Sequence, residues 1–96
     1  MQKIGKTDEY NDWFMSLQDK LVKARVEARI RRLQEGNAGD VEPVGEGVSE
    51  LRLHFGSGWR VYYTERAGQF IILLAGGNKS TQKRDIKLAQ GLARNL

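Results

Sequence analysis

The chain has no cysteine, a single histidine and a single proline in 96 residues. Without thiols there is no disulfide framework and no thiolate metal site, and one imidazole excludes a multi-histidine centre. No metal and no cofactor are therefore expected. Long apolar runs are missing as well: the longest, Phe70–Ala75, is far too short to span a bilayer. The opening stretch MQKIGKTDEY has no apolar segment behind its lysine and does not fit a signal peptide. A cytoplasmic chain that does not engage membrane is the expectation. Ninety-six residues suffice for a modest core, and residues 1–96 are expected to form a single domain.

Acidic residues are scarce in one half only. Residues 1–47 carry 8 Lys/Arg and 9 Asp/Glu, a net of −1, whereas residues 48–96 carry 8 and 3, a net of +5. A basic half suits a polyanionic partner, although surplus lysines also keep a small domain soluble.

Thr7 or Asp8 caps a first helix, with Tyr10, Trp13, Phe14 and Leu17 at i, i+3, i+4 and i+7 as its core stripe. After a break near Gln18–Lys20, Asp19 caps a second helix that buries Val22, Val26, Ile30 and Leu33 and stops at Gly36. Asn37–Gly47 holds three glycines and the only proline, and is expected to be a loop. Strands follow at about 48–55, 59–66 and 69–76, the last apolar on both faces. Gln2–Gly5 adds a short edge strand, and Ser80–Asn95 forms a final helix capped by Ser80 or Thr81. The order β-α-α-β-β-β-α predicts an α+β domain: an antiparallel sheet with an N-terminal helical hairpin and a C-terminal helix, the helices on one sheet face.

The most informative stretch is VSELRLHFGSGWRVYYTE, Val48–Glu65. Its alternation puts Leu51, Leu53 and Phe55 on one face and Glu50, Arg52 and His54 on the other. A three-residue loop, Gly56-Ser57-Gly58, places Phe55 opposite Trp59, His54 opposite Arg60, Arg52 opposite Tyr62 and Glu50 opposite Thr64. The polar face then holds two arginines, an imidazole, a carboxylate and a phenol within cross-strand reach. Arginine's rigid fork suits phosphate oxygens, and Arg52 and Arg60 keep their charge in any environment; an ordinary solvated sheet face is the alternative.

His54 is either a neutral proton acceptor beside Arg60 or an exposed strand residue. Glu50 is either a base or an ion-pair partner of Arg52 or Lys79. Gly76-Gly77-Asn78-Lys79-Ser80 follows the last strand; two glycines allow close approach to a ligand, and the helix start attracts anions. It lacks the spacing of a P-loop. Tyr62 and Tyr63 face opposite sides, so only Tyr62 reaches the site. The basic residues of Lys20–Arg32 form a solvated helix face, with Arg25 and Arg29 also available to RNA backbone. Tyr10, Trp13, Phe14 and Trp59 are assigned to the core.

The run VSELRLHFGSGWRVYYTE, the later LLAGGNKSTQKRDIKLA and the preceding Gly-Asn-x-Gly-Asp-Val-x-Pro-Val-Gly-Glu-Gly together resemble the HigB-like "addiction module killer" subgroup of the RelE/ParE toxin superfamily. The resemblance covers nearly the whole chain and independently implies the same element order. It implies the toxin of a bacterial type II toxin–antitoxin pair, bound by an antitoxin encoded next to it, in a hetero-oligomer whose acidic segment faces the basic sheet. Many members cut messenger RNA on the ribosome; a ParE-like branch instead inhibits DNA gyrase, and a degenerate member would bind RNA without cutting.

By similarity, Arg60 matches the arginine after the hairpin turn in the ribonucleases, and Lys79 the basic residue beyond the last strand. Arg52, with Glu50 or His54, occupies the strand that supplies lysine or glutamate elsewhere. Tyr62, Gln82 and Lys83, with Arg25 and Arg29, are the expected RNA contacts. The final helix departs from the pattern, having Gln82, Lys83 and Asp85 where nuclease relatives often place Tyr or His. The implied reaction is metal-independent attack of an RNA 2′-OH on the adjacent phosphorus. Arg60 and Arg52 would stabilise the phosphoryl charge, His54 or Glu50 take the proton, and Lys79 serve the leaving oxygen.

Overall fold

The computed structural model describes residues 1–96. Strand β1 (Lys3–Lys6) leads into helices α1 (Asp8–Ser16) and α2 (Lys20–Gln34). Strands β2 (Val41–Pro43), β3 (Val48–Arg52), β4 (Arg60–Arg66) and β5 (Phe70–Gly77) follow, then a 3-10 turn (Lys79–Thr81) and helix α3 (Gln82–Arg94). The sheet order is β1-β5-β4-β3-β2, with β1 parallel to β5 and every other pair antiparallel. The α+β class agrees with the expectation and the element order roughly so; the sheet gains one strand and is mixed, not antiparallel, because β1 runs parallel to β5.

The helix boundaries follow local chemistry. Thr7 caps α1 by accepting from the Tyr10 N–H at 3.0 Å, and its hydroxyl donates to the Leu74 carbonyl of β5 at 2.6 Å. Asp19 caps α2 through the Leu21 N–H at 2.8 Å. Gly36, with φ +88°, turns the chain so that its own N–H reaches Leu33 O and the Asn37 N–H reaches Arg32 O. That pair of bonds is a Schellman stop.

The helices lie on both faces of the sheet, not one. Leu51, Leu53, Val61, Tyr63, Ile71 and Leu73 pack with the α1–α2 stripe, whose Tyr10, Val26 and Leu33 are buried. Val48, Tyr62, Leu74 and Ala75 form a second cluster with Ala89 and Ala93 of α3. The reason lies in β5. Its register slips between the pairs Tyr62↔Ala75 and Tyr63↔Leu73, which leaves Leu74 as an extra residue. Leu74 and Ala75 both join the α3 cluster, so β5 serves two apolar layers without alternating.

Asn37–Gly47 is not all loop. Val41–Pro43 pairs with β3 as an edge strand, in the register Val41↔Leu51 and Pro43↔Ser49. Three residues containing a proline carry no periodicity; proline is tolerated there because the strand lies at the sheet edge.

Candidate functional site

The β3–β4 hairpin sets the site, and its register differs from the expected one. Arg52 pairs with Arg60, Glu50 with Tyr62 and Val48 with Thr64. The strand ladder ends at Arg52, although the Leu53 N–H still reaches Trp59 O at 2.9 Å. Gly56 and Gly58 both adopt positive φ, +57° and +76°, and make a longer connection than the predicted three-residue loop. The slip is two residues, so the paired side chains of β3 and β4 keep their expected faces while their partners change, and His54, beyond the end of β3, does not stay with them. Phe55 leaves the strand and lies partly buried against the first core cluster.

Glu50 is fully buried and is the hub of the polar face. Its Oε1 accepts from Arg52 Nε at 2.8 Å, and its Oε2 accepts from Tyr62 Oη at 3.0 Å and Gln82 Nε2 at 2.9 Å. Burial pushes the Glu50 carboxyl up, but donation from Arg52, Gln82 and Tyr62 outweighs it and holds the group below its usual range. Burial first, and then the Glu50 charge, raise the Tyr62 hydroxyl, so it remains a donor. A carboxylate that is ionised and closed in by three donors is a poor proton acceptor. It forms an ion pair with Arg52, one of the two readings held open above.

Arg60 is nearly buried, at 9% exposure, and its nearest counter-charge is Glu50, 4.0 Å from Nε. That Nε has no hydrogen-bond partner. Two arginines directly opposite each other on adjacent strands repel, and one shared carboxylate leaves the pair with a positive surplus. The arrangement can accept an anion.

α3 covers this face, which the expectation of an open sheet surface did not include. Gly77 admits the Asp85 carboxylate, because a Cβ there would collide with Asp85 and with Thr81 Oγ1. Gly76, on the other face, lies under the Trp13 ring. The two glycines thus serve packing against α3 and α1, in place of the predicted approach to a ligand. Asp85 is buried, accepts from Thr81 Oγ1 and stands 3.5 Å from Arg84. In the sequence Asp85 stood out only as part of the final helix's departure from the nuclease pattern. The N-terminal N–H groups are partly used: Asn78 Oδ1 accepts from the Ser80 N–H at 2.9 Å, and Thr81 Oγ1 accepts from the Asn78 N–H at 3.2 Å. Asn78, not Ser80 or Thr81, supplies the side-chain cap, and it does so for the 3-10 turn; Thr81 precedes α3 without one.

Lys79 is exposed, with its backbone N–H donating to Ser57 O at 3.3 Å and its Cβ beside Gly58. Lys79, Gln82, Lys83 and Arg84 line an open hollow of about 460 Å³ that has no apolar lining residue. Gln82 belongs to both the hollow and the Glu50 network, and so joins them.

His54, Arg25 and Arg29 fall elsewhere. His54 sits in the exposed loop, paired with Asp40, and is not opposite Arg60. The Asp40 carboxyl is held below its usual range, first by that hydrogen bond. Arg25 and Arg29 lie on α2, across the sheet from Arg60. Arg29 donates to the carbonyls of Arg52 at 2.6 Å and Ala38 at 2.9 Å, a clamp between α2 and the sheet edge. The expected constellation therefore divides: Glu50, Arg52, Arg60, Tyr62 and Gln82 meet, with Lys79 and Lys83 at their margin, while His54 belongs with the α2 arginines. No three His, Asp or Glu side chains converge as a metal site would require, and no helix is long and apolar enough to cross a membrane.

A five-stranded mixed sheet holding a basic cluster between β3, β4 and the start of α3 defines a small α+β fold of the RelE kind. A chain of the intact E. coli RelBE toxin–antitoxin complex shares it, with a TM-score of 0.66 over 81% of this chain and 96% of that one, at 12% identity. The chain belongs to the family of phage-derived Gp49-like proteins (DUF891), whose model matches residues 12–93. A relative from Haemophilus influenzae, described as an uncharacterized protein, is 46% identical over 94 residues, 98% of this chain and 95% of the relative.

Proposed function

We propose that the chain is the toxin of a bacterial toxin–antitoxin pair and acts as a metal-independent endoribonuclease on ribosome-bound messenger RNA. The fold shared with a chain of a toxin–antitoxin complex supports the class. The observation that carries the chemistry is the pair Arg52 and Arg60, directly opposite each other on adjacent strands with one carboxylate, Glu50, between them, which leaves a surplus of positive charge. Fixed guanidinium charge in surplus over its carboxylate is suited to the charge that gathers on phosphoryl oxygens in the transition state.

In this reading the 2′-oxygen attacks phosphorus and its proton passes to solvent water. The bond from phosphorus to the 5′-oxygen breaks, leaving a 2′,3′-cyclic phosphate and a 5′-OH. Arg60 and Arg52 bind the non-bridging oxygens, and Lys79, exposed at the margin, gives the leaving oxygen its proton. Glu50 positions Arg52, and Gln82 and Lys83 steer the backbone. Without an imidazole in the cluster, catalysis rests on charge stabilisation. The partner is an antitoxin with an acidic segment that covers the same cations.

The test is brief induction in bacteria with mapping of transcript 5′ ends for the native chain and Arg60→Ala. New 5′-OH ends inside translated frames are expected, falling about 10²–10³-fold in the variant. Undiminished cleavage by a folded Arg60→Ala chain would refute the assignment. Growth arrest with DNA damage and no new ends would favour gyrase inhibition instead.

A further inference from the structure

We infer that the hollow between α2 and the β3–β4 loop is a second anchoring site for single-stranded RNA, on the sheet face opposite Arg60; the inference rests on the nuclease reading above. Arg25, Arg29 and Arg32 occupy one stripe of α2 at i, i+4 and i+7, and with Leu53, His54 and Phe55 they line a hollow of about 320 Å³. Three guanidinium groups converge there against a single acid, Asp40, which His54 already engages. Arg25 and Arg32 are exposed and neither forms a salt bridge.

The Arg25 guanidinium lies 4.6 Å above the centre of the Phe55 ring. Such a contact holds the planar group in place, leaving one face for an unstacked base and its N–H edge for a phosphate. Arg32 supplies a second phosphate contact further along the helix. Arg29 sits behind them, spent on the Arg52 and Ala38 carbonyls, and contributes field more than contacts. An acidic peptide would neutralise the same charges but has no use for a ring-mounted cation.

The hollow is tied to the polar face through one residue. Arg29 grips the backbone carbonyl of Arg52, whose side chain belongs to the other face. His54 finds its place here, at the rim with Asp40.

The experiment uses the full chain carrying Arg60→Ala, so that cleavage does not interfere. Binding of a short fluorescent single-stranded oligoribonucleotide is followed by anisotropy across a salt series, with and without Arg25→Ala plus Arg32→Ala. Both side chains are exposed, so an unchanged circular dichroism spectrum is expected. The double substitution should weaken binding at least tenfold and lower the slope of log K against log salt by about 1.4, roughly 0.7 for each lost phosphate contact. Phe55→Leu should weaken binding while leaving the slope unaltered. Unchanged affinity and slope in the double variant would overturn the inference, as would intact RNA binding with lost binding of an acidic antitoxin segment. A native chain that never cuts RNA, yet binds it through Arg25 and Arg32, would sink the nuclease reading alone.

Discussion

Glu50 makes the polar face possible. A carboxylate removed from water is costly unless several donors replace its hydration, and here three do. Removing it leaves Arg52 and Arg60 facing each other across two strands with no shared counter-charge. Glu50→Ala should therefore cost about 3 kcal/mol or more in urea unfolding at neutral pH, the range for breaking a buried ion pair. The pH dependence has a definite sign. The folded carboxyl lies below its ordinary value of about 4.3, so its contribution is complete above that value and is lost as pH falls through the lower folded value. A Glu50→Gln chain should accordingly be less stable at neutral pH yet show a shallower acid limb. Equal acid sensitivity in both chains would show that Glu50 is not held as described.

Among the elements, β5 and α3 define the site most strictly. Gly76 and Gly77 are adjacent, yet each faces a different helix: one a tryptophan ring, the other a buried carboxylate. Gly76→Ala and Gly77→Ala should each destabilise by about 1–3 kcal/mol, the usual cost of overpacking. Only Gly77→Ala should also reduce cleavage out of proportion to stability, because it displaces Asp85 and the turn that carries Lys79 and Gln82. Matched losses of activity in the two variants would break that link. The element pattern itself was largely legible: a cap at Thr7 or Asp8, of which the fold uses Thr7, the cap at Asp19, the stop at Gly36 and the α2 stripe all follow from local chemistry. The hairpin register was not, since one glycine-rich sequence is compatible with loops of different length, and β2 was too short to leave a periodic trace.

Over the whole molecule, one sheet separates two apolar layers, a larger one under α1 and α2 and a smaller one under α3. Trp13 and Trp59 are both associated with the larger layer, 6.5 Å apart between ring centres. Tryptophan fluorescence therefore reports one face, and far-ultraviolet circular dichroism reports the whole chain. If residues 1–96 fold as one unit, the two signals should coincide during urea unfolding. Leu73→Ala, in the larger layer, should move both together and cost about 2–5 kcal/mol. Separate transitions would divide the molecule at the sheet.

The sequence by itself determined which residues share a face. Alternation along β3 and β4 placed Glu50, Arg52, Arg60 and Tyr62 on one side whatever the register, because a slip of two preserves parity. It also determined where α2 starts and stops, and the basic character of the second half. Only the tertiary structure decided which of those residues touch. The long hairpin loop sends His54 to Asp40 beside the edge strand, the extra residue at Leu74 lets β5 face α3, and Gln82 at the start of α3 closes over Glu50. Periodicity encodes direction from a single strand, whereas pairing and burial depend on elements distant in sequence that come together only in the folded chain.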